Sequence, residues 1–246
     1  MSKFRFHRIR LPARLLAVGL VVLVMVVATS SFASALWLAV APPTTSPHGQ
    51  TYAEWAEDWH SWVLSIEDEQ NPLLELFTGE TSDCTYYQSG DVWFLAGLLG
   101  GGEIERECTI DDETAMFFPV VNYMWFPYVT DPPPDESDLE LQFRNVINGA
   151  GAWAKVDGVN VVPLYRFHFH TRWFRAWMPE NNMIDWLIDN FDPGNELWGE
   201  GWSQPHFNDG IYLMVEPLDV GDHTIEFGGF GGGFHVTYDL TVVDAN

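Results

Sequence analysis

Apolar residues recur at helical spacing shortly after residue 50. Tyr52, Trp55, Ala56, Trp59, Val63 and Ile66 fall on one face of a helix. Thr51 followed by Glu54 forms a capping box at its start, and Asn71-Pro72 provides a stop. The pattern predicts an amphipathic helix whose tryptophan stripe packs on a core.

Further along the chain the apolar runs are shorter and are bounded by Gly, Asp or Pro, which is typical of strands. These runs are residues 92–96, 115–121, 165–174, 211–215, 223–227 and Phe234–Val243. In the last run apolar and polar residues alternate strictly, which predicts a strand with one solvated face. Asp157-Gly158 lies between two apolar segments and predicts a tight hairpin turn.

Two short helices interrupt the strands. Ser137 and Glu140 form a second capping box ahead of an apolar stripe that ends at Gly149, and residues 182–190 predict a short helix or a loop. The sequence therefore predicts a mainly β, two-sheet, sandwich-like domain with an N-terminal amphipathic helix and one or two short inserted helices.

The N-terminus has the pattern of an export signal. Five cations precede an uncharged apolar run at residues 15–28 and small residues at 33–35; they are Lys3, Arg5, Arg8, Arg10 and Arg14. We expect a signal peptide at residues 1–35, a Pro/Thr/Ser spacer at 42–50 and a single domain at 51–246. The alternative is an uncleaved membrane anchor that also uses residues 36–41. Both predict an exported protein, secreted or on the cell surface.

The charge balance limits the partners of this protein. The chain has 11 Lys and Arg against 35 Asp and Glu, a net charge of −24. Such a surface repels phosphate backbones and anionic lipids, which argues against nucleic-acid binding and leaves the N-terminal segment as the only predicted membrane contact. The same excess of acid is typical of proteins adapted to high salt.

We therefore expect sodium chloride to stabilise the fold. Salt shortens the Debye length and screens the repulsion among the carboxylates, so the melting temperature should rise with salt concentration. Thermal unfolding measured across a sodium chloride series tests this, and an unchanged melting temperature would contradict the high-salt interpretation.

Export also changes how the two cysteines are interpreted. Cys84 and Cys108 are the only cysteines of the chain. An oxidising compartment keeps such thiols paired, and two isolated cysteines make a poor metal site. The sequence predicts a structural disulfide between them.

The sharpest chemical signal is a pair of histidines two positions apart. His168 and His170 would project from the same face of a strand, a spacing that suits one transition metal. The third ligand would be His206, His223, His235 or a carboxylate. The alternative is a solvated or salt-bridged face, because Arg166 and Arg172 flank the pair.

Two further clusters have a candidate role in binding. Arg166, Arg172 and Arg175 would hold either an external anion or internal carboxylates, and the many acids of the chain favour internal salt bridges. The oxygen-rich loop around Pro193-Gly194 predicts a calcium site with Asp189, Asp192, Asn195 and Glu196, although its spacing is not that of an EF-hand. A solvated acidic loop is the alternative there.

Four blocks of the sequence, taken in their order along the chain, form a distinctive combination. They are QSGDVWFLAG at residues 88–97, RECTI at 106–110, FFPVVN at 117–122 and PLDVGDHTIEFGG at 217–229. In these blocks the chain resembles an uncharacterised family of exported bacterial proteins. The resemblance implies no activity, substrate or catalytic residue. Where that family has Ser-Pro, this chain has His168 to His170.

No nucleophile elbow or phosphate-binding loop is present, so the sequence assigns no catalytic residue. We expect a non-enzymatic binding or structural β-sandwich module whose partner is a carbohydrate or an extracellular protein. The alternative is a metal-dependent hydrolase or oxidoreductase that uses His168 and His170. No cofactor is assigned, and a transition metal and calcium are the candidates.

Overall fold

The computed structural model describes residues 39–79, 83–126 and 135–245. The predicted signal peptide lies outside these residues. The strands within them are β1 Val92–Phe94, β2 Gly102–Asp111, β3 Ala115–Trp125, β4 Trp153–Val156, β5 Val159–Asn160, β6 His168–His170, β7 Trp177–Met178, β8 Gly201–Trp202, β9 Phe207–Val215, β10 Gly221–Gly229 and β11 Phe234–Val243. The α-helices are α1 Tyr52–Leu64, α2 Glu75–Thr78, α3 Glu136–Gly149 and α4 Met183–Phe191.

The strands form two main sheets, which confirms the predicted mainly β class. One sheet has the order β1-β3-β9-β6 and the other β2-β11-β10-β4-β5, while β7 and β8 make a small separate ribbon. The pairs β1 with β3 and β2 with β11 are parallel; the remaining pairs are antiparallel. Parallel partners require long crossovers, so distant parts of the chain meet in both sheets.

The core lies between the two sheets. Phe118 of β3 stacks on Phe227 of β10 with ring centroids 4.8 Å apart. In β11 the apolar residues are buried and their polar neighbours are at least partly exposed, as the alternation predicted. The hairpin is confirmed as well, because Asp157 and Gly158 both have positive φ, 50° and 72°, between β4 and β5.

Helix α1 begins at the predicted capping box. The Thr51 hydroxyl accepts a hydrogen bond from the backbone N–H of Glu54, and the Glu54 carboxylate accepts one from the backbone N–H of Thr51. The helix ends at Leu64, before the predicted stop at Asn71. The side chain of Asn71 points back to the end of the helix, where its amide donates a hydrogen bond to the carbonyl of Val63 at 2.7 Å in the last turn.

Helix α3 begins two residues earlier than predicted. Its N-cap is Asp135, whose carboxylate accepts a hydrogen bond from the backbone N–H of Ser137. The hydroxyl of Ser137 also donates to that carboxylate, so Ser137 is not the cap. Leu139, Phe143 and Ile147 form the buried face. Phe143 packs on Phe207, which places α3 on the face of the four-stranded sheet opposite the one that α1 covers.

The structure differs from the sequence prediction at two strands. The run at residues 165–174 forms a strand only at His168–His170, because Leu164–Phe167 turns as a 3-10 helix before it. Strand β2 was not predicted at all. Its inward positions include the charged Arg106 between Ile104 and Cys108, which hides the alternation of the strand.

Arg106 is the centre of a buried polar network. Its side chain is 3% exposed and lies 2.7 Å from a carboxylate oxygen of Glu75. It also donates to the hydroxyl of Tyr238 on β11, and this hydroxyl donates to the carbonyl of Ala96. Three backbone carbonyls accept from the same guanidinium; they belong to Pro72, Ala96 and Gly97. The network joins α2, the segment after β1, and both parallel strands β2 and β11.

Cys84 and Cys108 form the predicted disulfide, with Cα atoms 5.9 Å apart. The bond fastens residues before β1 to β2. A disulfide is compatible with an oxidising extracellular environment.

The predicted spacer and the residues just ahead of it contact the domain. Val40 pairs with Val215 of β9, and the Tyr52 hydroxyl donates to the carbonyl of Ala41 at 2.7 Å. Pro47 is buried, and its carbonyl accepts from the Trp55 indole at 2.9 Å. Residues 39 to 50 thus lie on the domain. Among the described residues, no helix is both long and apolar enough to cross a membrane.

Candidate functional site

The two predicted histidines lie on one face of β6, on the side covered by α3. Phe169 between them points to the opposite face and stacks on Tyr52 with ring centroids 4.9 Å apart. His170 lies 5.7 Å from the Phe207 ring, measured between centroids. The shared face of His168 and His170 is therefore confirmed.

The two imidazoles nevertheless have separate partners. Nε2 of His168 is hydrogen-bonded to the carboxylate of Asp209 on β9. His170 uses Nδ1 to donate to the carbonyl of Thr171 at 3.1 Å, and its Nε2 lies 3.3 Å from the carboxylate of Glu140. In the described parts of the chain, no three His, Cys, Asp or Glu side chains are grouped so that they could hold a metal. The third ligand that a metal site would need is not found there.

The three predicted arginines do not form the expected internal salt bridges. Arg166, Arg172 and Arg175 are all exposed, and none pairs with a carboxylate of the described residues. The contact of Arg172 with an acid is through its backbone, whose N–H donates to Glu57 at 3.2 Å. Exposure explains the difference, because a solvated guanidinium gains little from a fixed partner.

The predicted calcium loop is a solvated turn at the end of α4. Asp189, Asp192, Asn195 and Glu196 are exposed, and the backbone N–H of Asp192 donates to the carbonyl of Ile188 at 2.9 Å. The side chains do not come together as a cluster of three acids within the described residues. Calcium binding at this loop stays a prediction.

His168 and His170 line a shallow cavity of about 320 Å³, here called the outer cavity, on the face of the four-stranded sheet that α3 covers. The other residues that line this outer cavity are Arg144, Asn148, Tyr165, Phe169 and Asp209. Asp209 is 1% exposed, and its second carboxylate oxygen has no hydrogen-bond partner among the described residues. A buried carboxylate with a single imidazole partner holds that imidazole firmly in place.

A second cavity, the inner cavity, has a volume of about 420 Å³. Its walls come from α1, β3, α4 and the turn between β10 and β11. Most of its lining is apolar, namely Trp59, Val63, Leu73, Leu98, Leu99, Pro119, Val120, Met124, Phe126, Met183, Ile184, Leu187, Phe230 and Phe234. Its polar side chains are His60, Asn122 and Tyr123. Apolar walls with a few polar groups are the usual lining of a small-molecule site.

His60 is the central polar group of the inner cavity. Its Nδ1 donates to the carbonyl of Ala56 at 2.7 Å, so Nε2 carries the lone pair. The amide nitrogen of Asn122 lies 3.2 Å from Nε2 and donates to it. Burial, together with the nearby His206, lowers the pKa of His60 to about 3. His60 is therefore a neutral hydrogen-bond acceptor at neutral pH.

Polar contacts continue from Asn122 into the core. The Tyr212 hydroxyl donates to the side-chain oxygen of Asn208, two positions before Gly210 on β9. A Cβ on Gly210 would lie 2.8 Å from the Cβ of Asn122, so glycine is needed for β9 to approach Asn122. Nδ2 of Asn208 is buried and has no partner within the described residues.

His206 lies close to His60 and is also buried. Its Nδ1–H donates to the carbonyl of Gln204 at 3.3 Å, and the hydroxyl of Ser203 lies 3.2 Å from the same nitrogen. Burial lowers the pKa of His206 to about 4. Because Ser203 and His206 are completely buried, this pair is not accessible to a substrate.

Exposed aromatic residues lie beside the inner cavity. Phe77, Trp186 and Phe191 form a cluster of three rings with centroids 5.5 to 5.9 Å apart. Phe77 borders Gly100 of the cavity wall, and Trp186 precedes Leu187, another wall residue. Phe77 and Phe191 are exposed, so an apolar surface leads to the cavity.

A separate pair of exposed tryptophans lies on the β7–β8 ribbon. Trp177 and Trp202 are opposite each other in the ladder, with ring centroids 6.0 Å apart. Their exposed fractions are 46% and 65%. This is the kind of aromatic surface that a binding module presents.

No protein-family model, curated protein or solved structure matches this chain. The resemblance to exported bacterial proteins therefore stays a prediction.

Proposed function

We propose that this protein is an exported binding module that holds a small, uncharged and largely apolar molecule in the inner cavity. The observation that carries the proposal is the cavity itself: about 420 Å³ of space with apolar walls and a polar end formed by His60 and Asn122. A pocket of this size suits a ligand of one or two rings.

The charge of the ligand follows from the lining of the cavity. Among the described residues, no Lys, Arg, Asp or Glu belongs to the wall. His60 stays neutral near pH 7 because burial lowers its pKa to about 3. An ionised head group would lose its hydration in this cavity and gain no counter-charge, so an uncharged molecule is favoured.

The polar end favours one hydroxyl or N–H group on the ligand. Nε2 of His60 is a hydrogen-bond acceptor. A donor group of the ligand would compete with the Asn122 amide for this nitrogen. The Asn122 side chain supplies both a donor and an acceptor. A hydroxyl of the ligand would gain a hydrogen bond at this end of the cavity, whereas a pure hydrocarbon would gain none.

The other functions predicted from the sequence have less support. A carbohydrate or protein partner would use the exposed Trp177 and Trp202, which lie on the β7–β8 ribbon and line neither the inner nor the outer cavity. A metal-dependent hydrolase or oxidoreductase would use His168 and His170, for which the described residues provide no third ligand. Export of the domain is supported by the disulfide.

Fluorescence titration with 2-naphthol and naphthalene tests the proposal. We expect saturable binding of one 2-naphthol per protein, with naphthalene bound about five- to tenfold more weakly because it lacks the hydroxyl. Leu98→Trp fills the cavity and should weaken binding of both probes at least tenfold. Asn122→Ala should remove the preference for 2-naphthol.

Leu141→Trp is the matched control, since Leu141 is 63% exposed on α3, far from the cavity wall. It should bind both probes as the wild-type protein does. Equal binding by Leu98→Trp and the wild type would place the probe elsewhere and contradict the proposal.

A further inference from the structure

His168 is held in one orientation by a buried carboxylate. Its Nε2–H donates to Asp209, whose side chain is 1% exposed and lies on the neighbouring strand β9. Because the carboxylate is an acceptor, the proton of the neutral imidazole is on Nε2 and the lone pair is on Nδ1.

The Nδ1 atom of His168 is available to the outer cavity. It has no hydrogen-bond partner among the described residues, and the His168 side chain is 16% exposed. The cavity of about 320 Å³ that it lines opens to solvent. An imidazole with a carboxylate on one nitrogen and a free lone pair on the other has the arrangement of a general base.

Helix α3 places two hydrogen-bond donors in the same cavity. Arg144 and Asn148 are four residues apart and so lie on one face of the helix. The Glu140 carboxylate holds the Arg144 guanidinium at 3.0 Å. Donors of this kind stabilise negative charge that develops on a carbonyl oxygen.

We propose that the outer cavity is a hydrolytic site for small carboxylic esters, with His168 as the general base and Arg144 and Asn148 as oxyanion donors. In the part of the chain that the structure describes, no Ser, Cys or Thr lines the cavity, so the proposed nucleophile is water. This site is on the opposite face of the four-stranded sheet from the inner cavity, and the proposal does not depend on ligand binding there.

The reaction is a balanced hydrolysis. Nδ1 of His168 takes one proton from water as the water oxygen bonds to the carbonyl carbon. The carbon–oxygen bond to the leaving alcohol then breaks, and the alkoxide takes the proton back from Nδ1. The products are a carboxylic acid and an alcohol. Asp209 does not touch the substrate and is a positioning residue.

His223 is the matched control for His168. Its Nδ1 lies 2.9 Å from the carboxylate of Asp157, and its side chain is 17% exposed, close to the 16% of His168. It lies on β10 in the other sheet and is not part of the outer cavity wall. Replacement of either histidine by glutamine removes one imidazole that is paired with a carboxylate.

Hydrolysis of p-nitrophenyl butyrate by the purified protein in EDTA tests the proposal. We expect kcat/KM to fall about 100-fold or more in His168→Gln and to stay within about twofold in His223→Gln. Added imidazole should restore turnover to His168→Gly and not to the wild type. Asp209→Asn should lower kcat with KM unchanged, because the imidazole loses its orientation.

Three results would overturn the proposal. One is a wild-type rate no higher than that of free imidazole at the same concentration. Another is equal loss in His168→Gln and His223→Gln. The third is loss of activity on EDTA treatment, which would favour the metal-dependent alternative. None of these depends on whether 2-naphthol binds the inner cavity.

Discussion

Replacing Arg106 with methionine should lower the free energy of unfolding by about 3–5 kcal/mol, the cost of removing one partner from a buried ion pair. Glu75 loses a guanidinium nitrogen 2.7 Å from its carboxylate in a site where both side chains are almost completely buried. The carbonyls of Pro72, Ala96 and Gly97 lose their charged donor at the same time. Urea unfolding, fitted for both midpoint and slope, measures the change.

A double-mutant cycle separates the ion pair from the rest of the network. Arg106→Met with Glu75→Met should be less destabilised than the sum of the two single variants, because no buried charge then remains. The control is Arg144→Met, which removes an exposed ion pair with Glu140 and should cost less than about 1 kcal/mol. A loss in Arg106→Met as small as in Arg144→Met would contradict the role of Arg106 as a buried centre.

Acid should destabilise the fold through His60 and His206. Burial lowers their pKa values to about 3 and about 4, whereas both titrate near 6.5 in the unfolded chain. Between these values the unfolded state binds more protons than the folded state, so stability falls as the pH falls below about 6.5. The slope is about 1.4 kcal/mol per pH unit for each histidine, or about 3 kcal/mol each at pH 4.

The variants His60→Gln and His206→Gln isolate this effect from the titration of the many carboxylates. Unfolding free energies measured from pH 7 to pH 4 should fall less steeply in each variant than in the wild type, and least steeply in the double variant. The carboxylates contribute equally to all four proteins, so they cancel in the differences. Parallel curves for the wild type and the double variant would show that neither imidazole is neutral in the folded state.

The parts of the fold that were predicted depend on local patterns. The capping box at Thr51, the Asp157-Gly158 turn and the alternation in β11 each involve neighbouring residues, and each is found in the structure. Strand β2 was missed because the inward position of Arg106 is explained by Glu75, Ala96 and Tyr238, which are distant in sequence. A cation within an alternating pattern of apolar and polar residues is interpreted as solvent-exposed as long as its buried partners are unknown.

The candidate sites were predicted only in part, because local patterns do not specify contacts between residues that are distant in sequence. Two-residue spacing was enough to place His168 and His170 on one face. Their partners Asp209 and Glu140 depend on the register of β6 with β9 and on the packing of α3, which no local pattern specifies. His60 was missed because an imidazole next to Trp59 on an apolar helix face resembles an ordinary core residue. Its signal was a second polar residue, Asn122, in an otherwise apolar strand.

The parallel pairing of β2 with β11 decides when the domain can fold. Cys108 of β2 is opposite Leu240 of β11, so the sheet is incomplete until a segment roughly 130 residues further along the chain has been synthesised. Disulfide closure between Cys84 and Cys108 needs no part of β11 and can come first. Until β11 is synthesised, both edges of β2 are unpaired, whereas in the finished sheet one of them is covered by β11. Unpaired strand edges are templates for aggregation, so the risk of aggregation is greatest in the interval between the synthesis of β2 and that of β11.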